Sequence, residues 1–442
     1  MTIQEFGQKL RAKAITSVEI VEACLARIEA GNPATNAFIL VMADEARQQA
    51  READGELAAG RDRGPLHGVP LSIKDLLDVR GTATTAASRV REGHIAEYDA
   101  PATAYLRAAG AVFVGKTNLH EYALGTTSED SAFGPVRNPL DTTRSAGGSS
   151  GGSAVSVAAG MALGTVGTDT GGSIRIPASC CGIVGLKPSL GEVSTDGVIP
   201  LSSSLDHVGP LAQSVADAWA VFRVLTGDLV PQPLAPAAPI DLRLAVPRPY
   251  FCDMLDDDVR SRFEEALDRL RAAGVHVGEI EIAHTETIAT VYLHVVLKEA
   301  AAYHAATLDA VPERYTPPVR QRLEMGRPLT TEDYVRALAG REQLRRDVDA
   351  ALADCDALVL PTLPIPAPKI GAEQVQVGAT KEPLRNVMLR LTQLFNLTGH
   401  PAISIPCGLT REGLPCGLQL VGARAETEKL VRTALACEAK IG

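Results

Sequence analysis

The sequence predicts an α/β fold built around a central sheet. Short apolar runs of strand character recur along the chain, and amphipathic helical segments separate them. With 442 residues, 45% of them hydrophobic, the chain also has the material for a large buried core.

The elements follow in order. Thr16-Ser17-Val18-Glu19 has the form of a capping box, with Thr16 as N-cap and Glu19 three residues on. Ile20, Val21, Cys24, Leu25 and Ile28 then recur at helical spacing, and Gly31-Asn32-Pro33 is expected to stop that helix. Residues 36–41 read as a strand, 45–59 as a polar, Ala-rich helix, and Leu71-Ser72-Ile73-Lys74-Asp75 as a strand carrying a lysine. A helix over 102–109 ends at Gly110, and Val112–Val114 forms a buried strand. Ser153–Leu163 is small and apolar, a tightly packed helix whose N-terminus follows Ser149-Ser150. Residues 182–188 form another core strand. The Pro-rich stretch 230–236 is a linker or surface loop, followed by a βαβ-like insert (strand 242–246, helix 257–273, strand 275–280). Residues 285–353 are mostly helical, and 356–362 return to a strand.

Three segments carry chemistry. Ala146-Gly147-Gly148-Ser149-Ser150-Gly151-Gly152-Ser153 and Gly167-Thr168-Asp169-Thr170-Gly171-Gly172-Ser173-Ile174-Arg175 are glycine-flanked serine clusters. Glycine lets backbone N–H groups approach a ligand closely, and a serine in such a loop can be a nucleophile with oxyanion donors beside it. The Gly147–Gly151 run matches Gly-x-Ser-x-Gly, but its polar lead-in, 141–145, is not the buried strand that a nucleophile elbow requires. The third segment sets Lys74 among Leu71, Ile73 and Leu76, surroundings that lower a lysine's pKa and suit it to act as a base.

Together these segments resemble the amidase signature family, over roughly residues 16–210 and again at 356–366 and 395–422. The resemblance implies the amidase signature fold, a large mixed central β-sheet flanked by helices on both faces. It also implies one domain over 1–442, with a catalytic core at 60–210, a variable substrate-pocket insert at 228–354 and a C-terminal return to the core sheet at 355–442. It makes Ser173 the nucleophile that forms an acyl-enzyme, Lys74 the ultimate base and Ser149 the relay between them, with a cis Gly148–Ser149 peptide bond. The backbone N–H groups of Thr170, Gly171, Gly172 and Ser173 become the oxyanion hole. Ser150, Asp169 and Arg175 become supporting residues, Asp169 and Arg175 as a buried pair and Ser150 within reach of Lys74. Asp75, His120 and Glu121 are read as structural. Ala123 and Gly125 fall where relatives border the acyl pocket, and their small size predicts an open pocket mouth.

An aryl or alkyl amide, or a carbamate, is the expected substrate, cleaved by a free-standing monomer or homodimer. The alternative is the glutaminase (A) subunit of a tRNA-dependent amidotransferase, which works with a partner and tRNA and shares Gly-Thr-Asp-Thr-Gly-Gly-Ser-Ile-Arg. Relatives acting on glutamine place an Asp upstream of the Asn of their Asn-Leu-x-Gly stretch, at the position of Leu389 here. Leu389, Leu391, Leu394 and Phe395 suggest an apolar neighbourhood instead. A net charge of −10 argues against direct nucleic-acid binding, and the longest apolar stretch, 154–167, is too short to span a bilayer. The N-terminus lacks the pattern of a signal peptide, so the cytoplasm is expected. The eight cysteines and nine histidines show no metal-ligand spacing, and no metal or cofactor is expected.

Overall fold

The alternation of strands and helices resolves into one mixed sheet of eleven strands in the computed structural model, which describes residues 1–378 and 380–441. Gly442, the last residue of the C-terminal segment, lies outside the described residues. In chain order the strands are β1 (Phe38–Val41), β2 (Pro70–Lys74), β3 (Val112–Thr117), β4 (Gly164–Asp169), β5 (Val184–Lys187) and β6 (His207–Ala212). They continue with β7 (Arg243–Pro247), β8 (His276–Ile280) and β9 (Ala357–Pro361). A separate hairpin, β10 (Gln374–Val377) and β11 (Thr380–Pro383), precedes β12 (Ala402–Leu409) and β13 (Pro415–Val421). Across the sheet the order is β1-β3-β2-β4-β6-β5-β12-β13-β9-β7-β8. Two parallel wings, β3-β2-β4 and β9-β7-β8, are joined through antiparallel pairings in the middle.

Both faces of the sheet are covered. Every residue of β2, β3, β4 and β6 is buried, as expected of strands packed on two sides. Along β3, Val112 and Val114 belong to one buried apolar cluster and Phe113 to another, because successive side chains point to opposite faces. The segment read as an insert supplies β7 and β8 to this same sheet, so residues 228–354 extend the core as well as covering it. Strand β6 and the hairpin β10–β11 have no counterpart in the sequence reading.

Two helix ends differ from expectation. The Thr16 capping box forms, but its helix, Ser17–Thr35, runs through Pro33 and ends where Asn36 takes a left-handed conformation (φ 53°). Proline's fixed φ fits a helix; its missing N–H removes one backbone hydrogen bond from the last turn, and the helix ends two residues later. The helix expected over 153–163 is Gly151–Ala158, and Gly160 at φ 65° turns the chain away before Leu163.

Gly152 opens this helix where two backbones converge. A Cβ there would stand 2.3 Å from the Ala37 carbonyl oxygen and 2.4 Å from that of Asn118. Backbone cannot give way as a flexible side chain does. Gly152→Ala is therefore expected to cost about 2–3 kcal/mol, read as a lowered midpoint in urea unfolding. An unchanged midpoint would refute this packing.

Candidate active site

Strands β2 and β4 are parallel neighbours, with Ile73 opposite Val166, so their C-terminal ends emerge side by side. This is where an α/β sheet offers its ligand crevice. Lys74 closes β2, and Thr168 and Asp169 close β4. The Lys74 side chain is fully buried, and its Nζ lies 2.8 Å from the Ser149 hydroxyl and 2.8 Å from the Thr168 hydroxyl. Burial pulls this amine down to about 7, against the opposing pull of Asp169 and Asp206. Its chain neighbour Asp75 is committed elsewhere. That carboxylate meets Lys116 Nζ at 2.8 Å and accepts the Thr85 N–H at 3.0 Å. Lys74 therefore has hydroxyl partners and, among the described residues, no paired carboxylate.

The two serine loops meet at this lysine. The Gly148–Ser149 peptide is cis. The Ser149 carbonyl accepts the His120 N–H at 3.1 Å and the Ser128 hydroxyl at 3.0 Å, which fixes the backbone carrying the Ser149 side chain. The Ser150 N–H donates to the Ser173 carbonyl at 3.2 Å, binding one loop to the other. Ser150 is not the partner of Lys74, contrary to expectation. Its hydroxyl donates to the Thr168 carbonyl at 3.1 Å, and the Thr168 hydroxyl takes the place beside the lysine. The physical reason is register: Thr168 belongs to a strand adjacent to β2, whereas Ser150 follows the turn after Ser149. Ser173 is 6% exposed, and its hydroxyl makes no hydrogen bond among the described residues.

Asp169 and Arg175 form the expected buried pair, Nη2 to Oδ1 at 2.9 Å, with both side chains fully covered. Asp169 also accepts the Ile174 N–H at 3.0 Å, and Asn396 Nδ2 donates to its Oδ1 at 2.8 Å. Arg175 donates onward to Asn396 Oδ1 at 2.7 Å, Gln419 Oε1 at 2.6 Å and the Thr392 carbonyl at 3.1 Å. Although burial opposes it, the Arg175 guanidinium holds the Asp169 carboxyl well below the usual carboxylate range. Asp169 also takes the Gly172 N–H at 2.7 Å. Of the four backbone donors expected to form an oxyanion hole, Gly172 is thus already occupied, while those of Thr170, Gly171 and Ser173 make no hydrogen bond to a carbonyl or side chain among the described residues. Gly172 holds φ 138°, and a Cβ there would stand 2.3 Å from the Thr392 hydroxyl. The sequence reading missed Asp206. It accepts the Thr170 hydroxyl at 2.6 Å and the Leu201 N–H at 2.9 Å, while burial pushes its own carboxyl up to about 6.

A cavity of about 330 Å³ opens beside this loop, lined by Tyr292, Leu389, Arg385, Glu382, Met254 and Gln393 among others. Two of its lining side chains pack against the loop at Gly171, where an added Cβ would lie 2.2 Å from the Tyr292 hydroxyl and 3.1 Å from Leu389. Ala123 and Gly125 do not line it. The mouth expected at Gly125 is closed by the His120 imidazole, 2.1 Å from where a Cβ would sit. His120 and Glu121, read as structural, each have protein partners. His120 Nε2 meets Asp130 at 3.1 Å, and Glu121 accepts the Thr316 N–H at 2.7 Å.

With a buried lysine, two converging serine loops and a braced Asp–Arg turn in place, comparison with known proteins gives the family. The Amidase family model matches residues 19–431. The chain belongs to the Amidase family. The A subunit of glutamyl-tRNA(Gln) amidotransferase from Anaeromyxobacter sp. (strain K) is 39% identical over 478 residues, covering 100% of this chain and 96% of that protein. An amidase of Pseudomonas putida is 39% identical over 452 residues, covering 99% of this chain and 95% of that one. A crystal structure of an amidase, 41% identical over 100% of both chains, superposes with a TM-score of 0.95.

In this Amidase-family chain the Asp169–Arg175 pair ties the serine loop to the C-terminal core. Arg175→Met would leave the Asp169 carboxylate buried without its counter-charge. A loss of about 3–5 kcal/mol in unfolding free energy is expected, measurable by chemical denaturation. A loss below about 1 kcal/mol would show that the pair does not brace the loop.

Proposed function

We propose that the chain cleaves the C–N bond of a small carboxamide through a seryl acyl-enzyme. The observation that carries this reading is Lys74 Nζ at 2.8 Å from the Ser149 hydroxyl, in a site whose burial favours the neutral amine. In the proposed sequence, Ser173 attacks the amide carbonyl while its proton passes to Ser149, and the Ser149 proton passes to Lys74. The N–H groups of Thr170, Gly171 and Ser173 receive the developing oxyanion. The proton then returns through Ser149 to the leaving nitrogen, and water hydrolyses the acyl-enzyme. No metal or cofactor takes part in this scheme.

For the substrate, relatedness favours glutamine over the aryl or alkyl amide and carbamate first expected. The A subunit of glutamyl-tRNA(Gln) amidotransferase is 39% identical along essentially its whole length. The cavity beside Gly171 is also mixed in character, with Arg385, Glu382 and Gln393 alongside Leu389 and Met254. In that role the chain would pass ammonia onward, working with tRNA and a partner protein. The second reading, a free-standing hydrolase of apolar amides or carbamates, rests on Leu389 at the cavity wall, together with the amidase structure that superposes at 0.95.

Ammonia or amine release from L-glutamine, aliphatic amides, nitroanilides and carbamates separates the two readings. A second protein that co-purifies with the chain would strengthen the first. Ser173→Ala should lower kcat/KM by roughly 10³-fold or more on whichever substrate is used. A variant keeping more than a few per cent of activity would remove Ser173 as nucleophile.

The pH dependence follows from Lys74. Below about 7 the amine is protonated and cannot accept a proton; above it the amine is neutral. Acylation should therefore rise through about pH 7 and level off. Lys74→Ala should abolish this limb and impair amides more than activated esters, whose leaving group needs no returned proton. Equal losses on both substrates would remove Lys74 as the base.

A further inference from the structure

The register of β4 against β6 carries past the ends of the two strands. Asp169 lies opposite His207, so the next pair out is Thr170 and Asp206. Residues opposed in this way present their side chains on one face. Here the two touch, the Thr170 hydroxyl donating to Asp206 Oδ1 at 2.6 Å. The other oxygen, Oδ2, accepts the N–H groups of Leu201 at 2.9 Å and Ser202 at 3.1 Å. Asp206 is buried, and the proposed reaction gives it no part.

The segment that bears Asp206 is itself fixed from outside. Glu299, on the helix Ile288–Ala310, accepts the Ser202 hydroxyl at 2.7 Å, the Ser204 hydroxyl at 2.6 Å and the Ser204 N–H at 3.1 Å. Arg341, on the helix Thr331–Ala351, donates to the Ser204 carbonyl at 3.0 Å. On the other side of the serine loop, the Thr392 hydroxyl donates to the Gly171 carbonyl at 2.6 Å. The Thr170–Gly171 unit is therefore gripped at both ends, by Asp206 at its start and Thr392 at its finish. Its own two N–H groups make no hydrogen bond among the described residues.

We propose that Asp206 is a positioning residue for the oxyanion hole: through the Thr170 hydroxyl it aims the Thr170 and Gly171 N–H groups at the carbonyl oxygen under attack by Ser173. The inference rests on the acyl-enzyme reading above and adds to it the group that sets its backbone donors. A carboxylate suits this task because the contact is two-sided. One hydroxyl and two N–H groups all donate, and two acceptor oxygens meet them. An asparagine of equal size must turn its NH2 group toward one of these donors. Oxyanion contacts strengthen as charge develops on the oxygen, so a loss of aim falls on the chemical step and spares ground-state binding.

The test is acylation by p-nitrophenyl butyrate, followed in stopped flow as nitrophenolate release, with the acyl group located on Ser173 by mass spectrometry. Asp206→Asn and Thr170→Val should each lower the maximal acylation rate by roughly 10–100-fold. The half-saturating ester concentration should stay within about threefold of the wild type. The double variant should lose no more than the worse of the two single ones, because both changes break one contact. Thr170→Ser, which keeps the hydroxyl, should recover most of the rate lost in Thr170→Val. A smaller folded fraction lowers the burst amplitude and leaves the rate constant alone, so the rate reads position and not stability. An Asp206→Asn rate within about twofold of the wild type, or additive losses in the double variant, overturns the proposal. If Asp206→Asn does not fold, the Thr170 variants decide: a Thr170→Val rate at the wild-type level overturns it. A wild type that is acylated at Ser173 by the ester but hydrolyses no amide removes the amidase reading alone. A wild type that is not acylated at Ser173 overturns both.

Discussion

The arrangement at the serine loops depends on one buried ion pair. Asp169 ends a central strand and Arg175 begins the short helix after Ser173, so their contact closes the turn on which Ser173 sits. Through Arg175 the turn is tied to Thr392, Asn396 and Gln419, residues distant in the chain. Such pairs contribute little net stability because desolvation offsets attraction. What the pair contributes is register. A carboxylate that also holds the N–H groups of Gly172 and Ile174 admits one path for this loop, and it leaves other amides free.

A second constraint is how positive charge is handled at the ends of β2 and β3. Lys74 and Lys116 are both fully buried. Lys116 takes Asp75 as its partner, which removes the nearest carboxylate from Lys74. Lys74 is left with two hydroxyls, groups that accept its hydrogen bonds without stabilising its charge as a carboxylate would. A lysine in that setting titrates near neutrality because burial outweighs the more distant pull of Asp169 and Asp206. Alternation along the strand makes this division possible, since Lys74 and Asp75 project to opposite sides.

The cavity beside Gly171 draws on other parts of the chain. Tyr292 comes from the helical region after β8, and Arg385 and Leu389 come from the helix after the β10–β11 hairpin. In the proposed function the serine loops and the lysine carry the chemistry, while the cavity walls carry the selection. This division explains how members of the family can keep one reaction centre and act on different amides.

Much of the fold was legible in the chain, because local rules govern it. The Thr16–Glu19 capping box, the apolar strand runs and the glycine-flanked serines each announce themselves within a few residues. The family, the mixed sheet and the Asp169–Arg175 pair all followed from those signals. What the sequence could not determine were contacts between segments remote in the chain. Strand β6, with its turn-like Gly209 and Pro210, is a strand only because β4 and β5 flank it. Thr168 rather than Ser150 meets Lys74 because two parallel strands share a register. Asp206, Tyr292 and Arg385 carry no local signature, since what distinguishes each is a partner, or the want of one, that only folding brings near. Local propensity and motif spacing are properties of short segments, whereas a site's selectivity lies in side chains converging from separate elements, and that convergence is decided by packing.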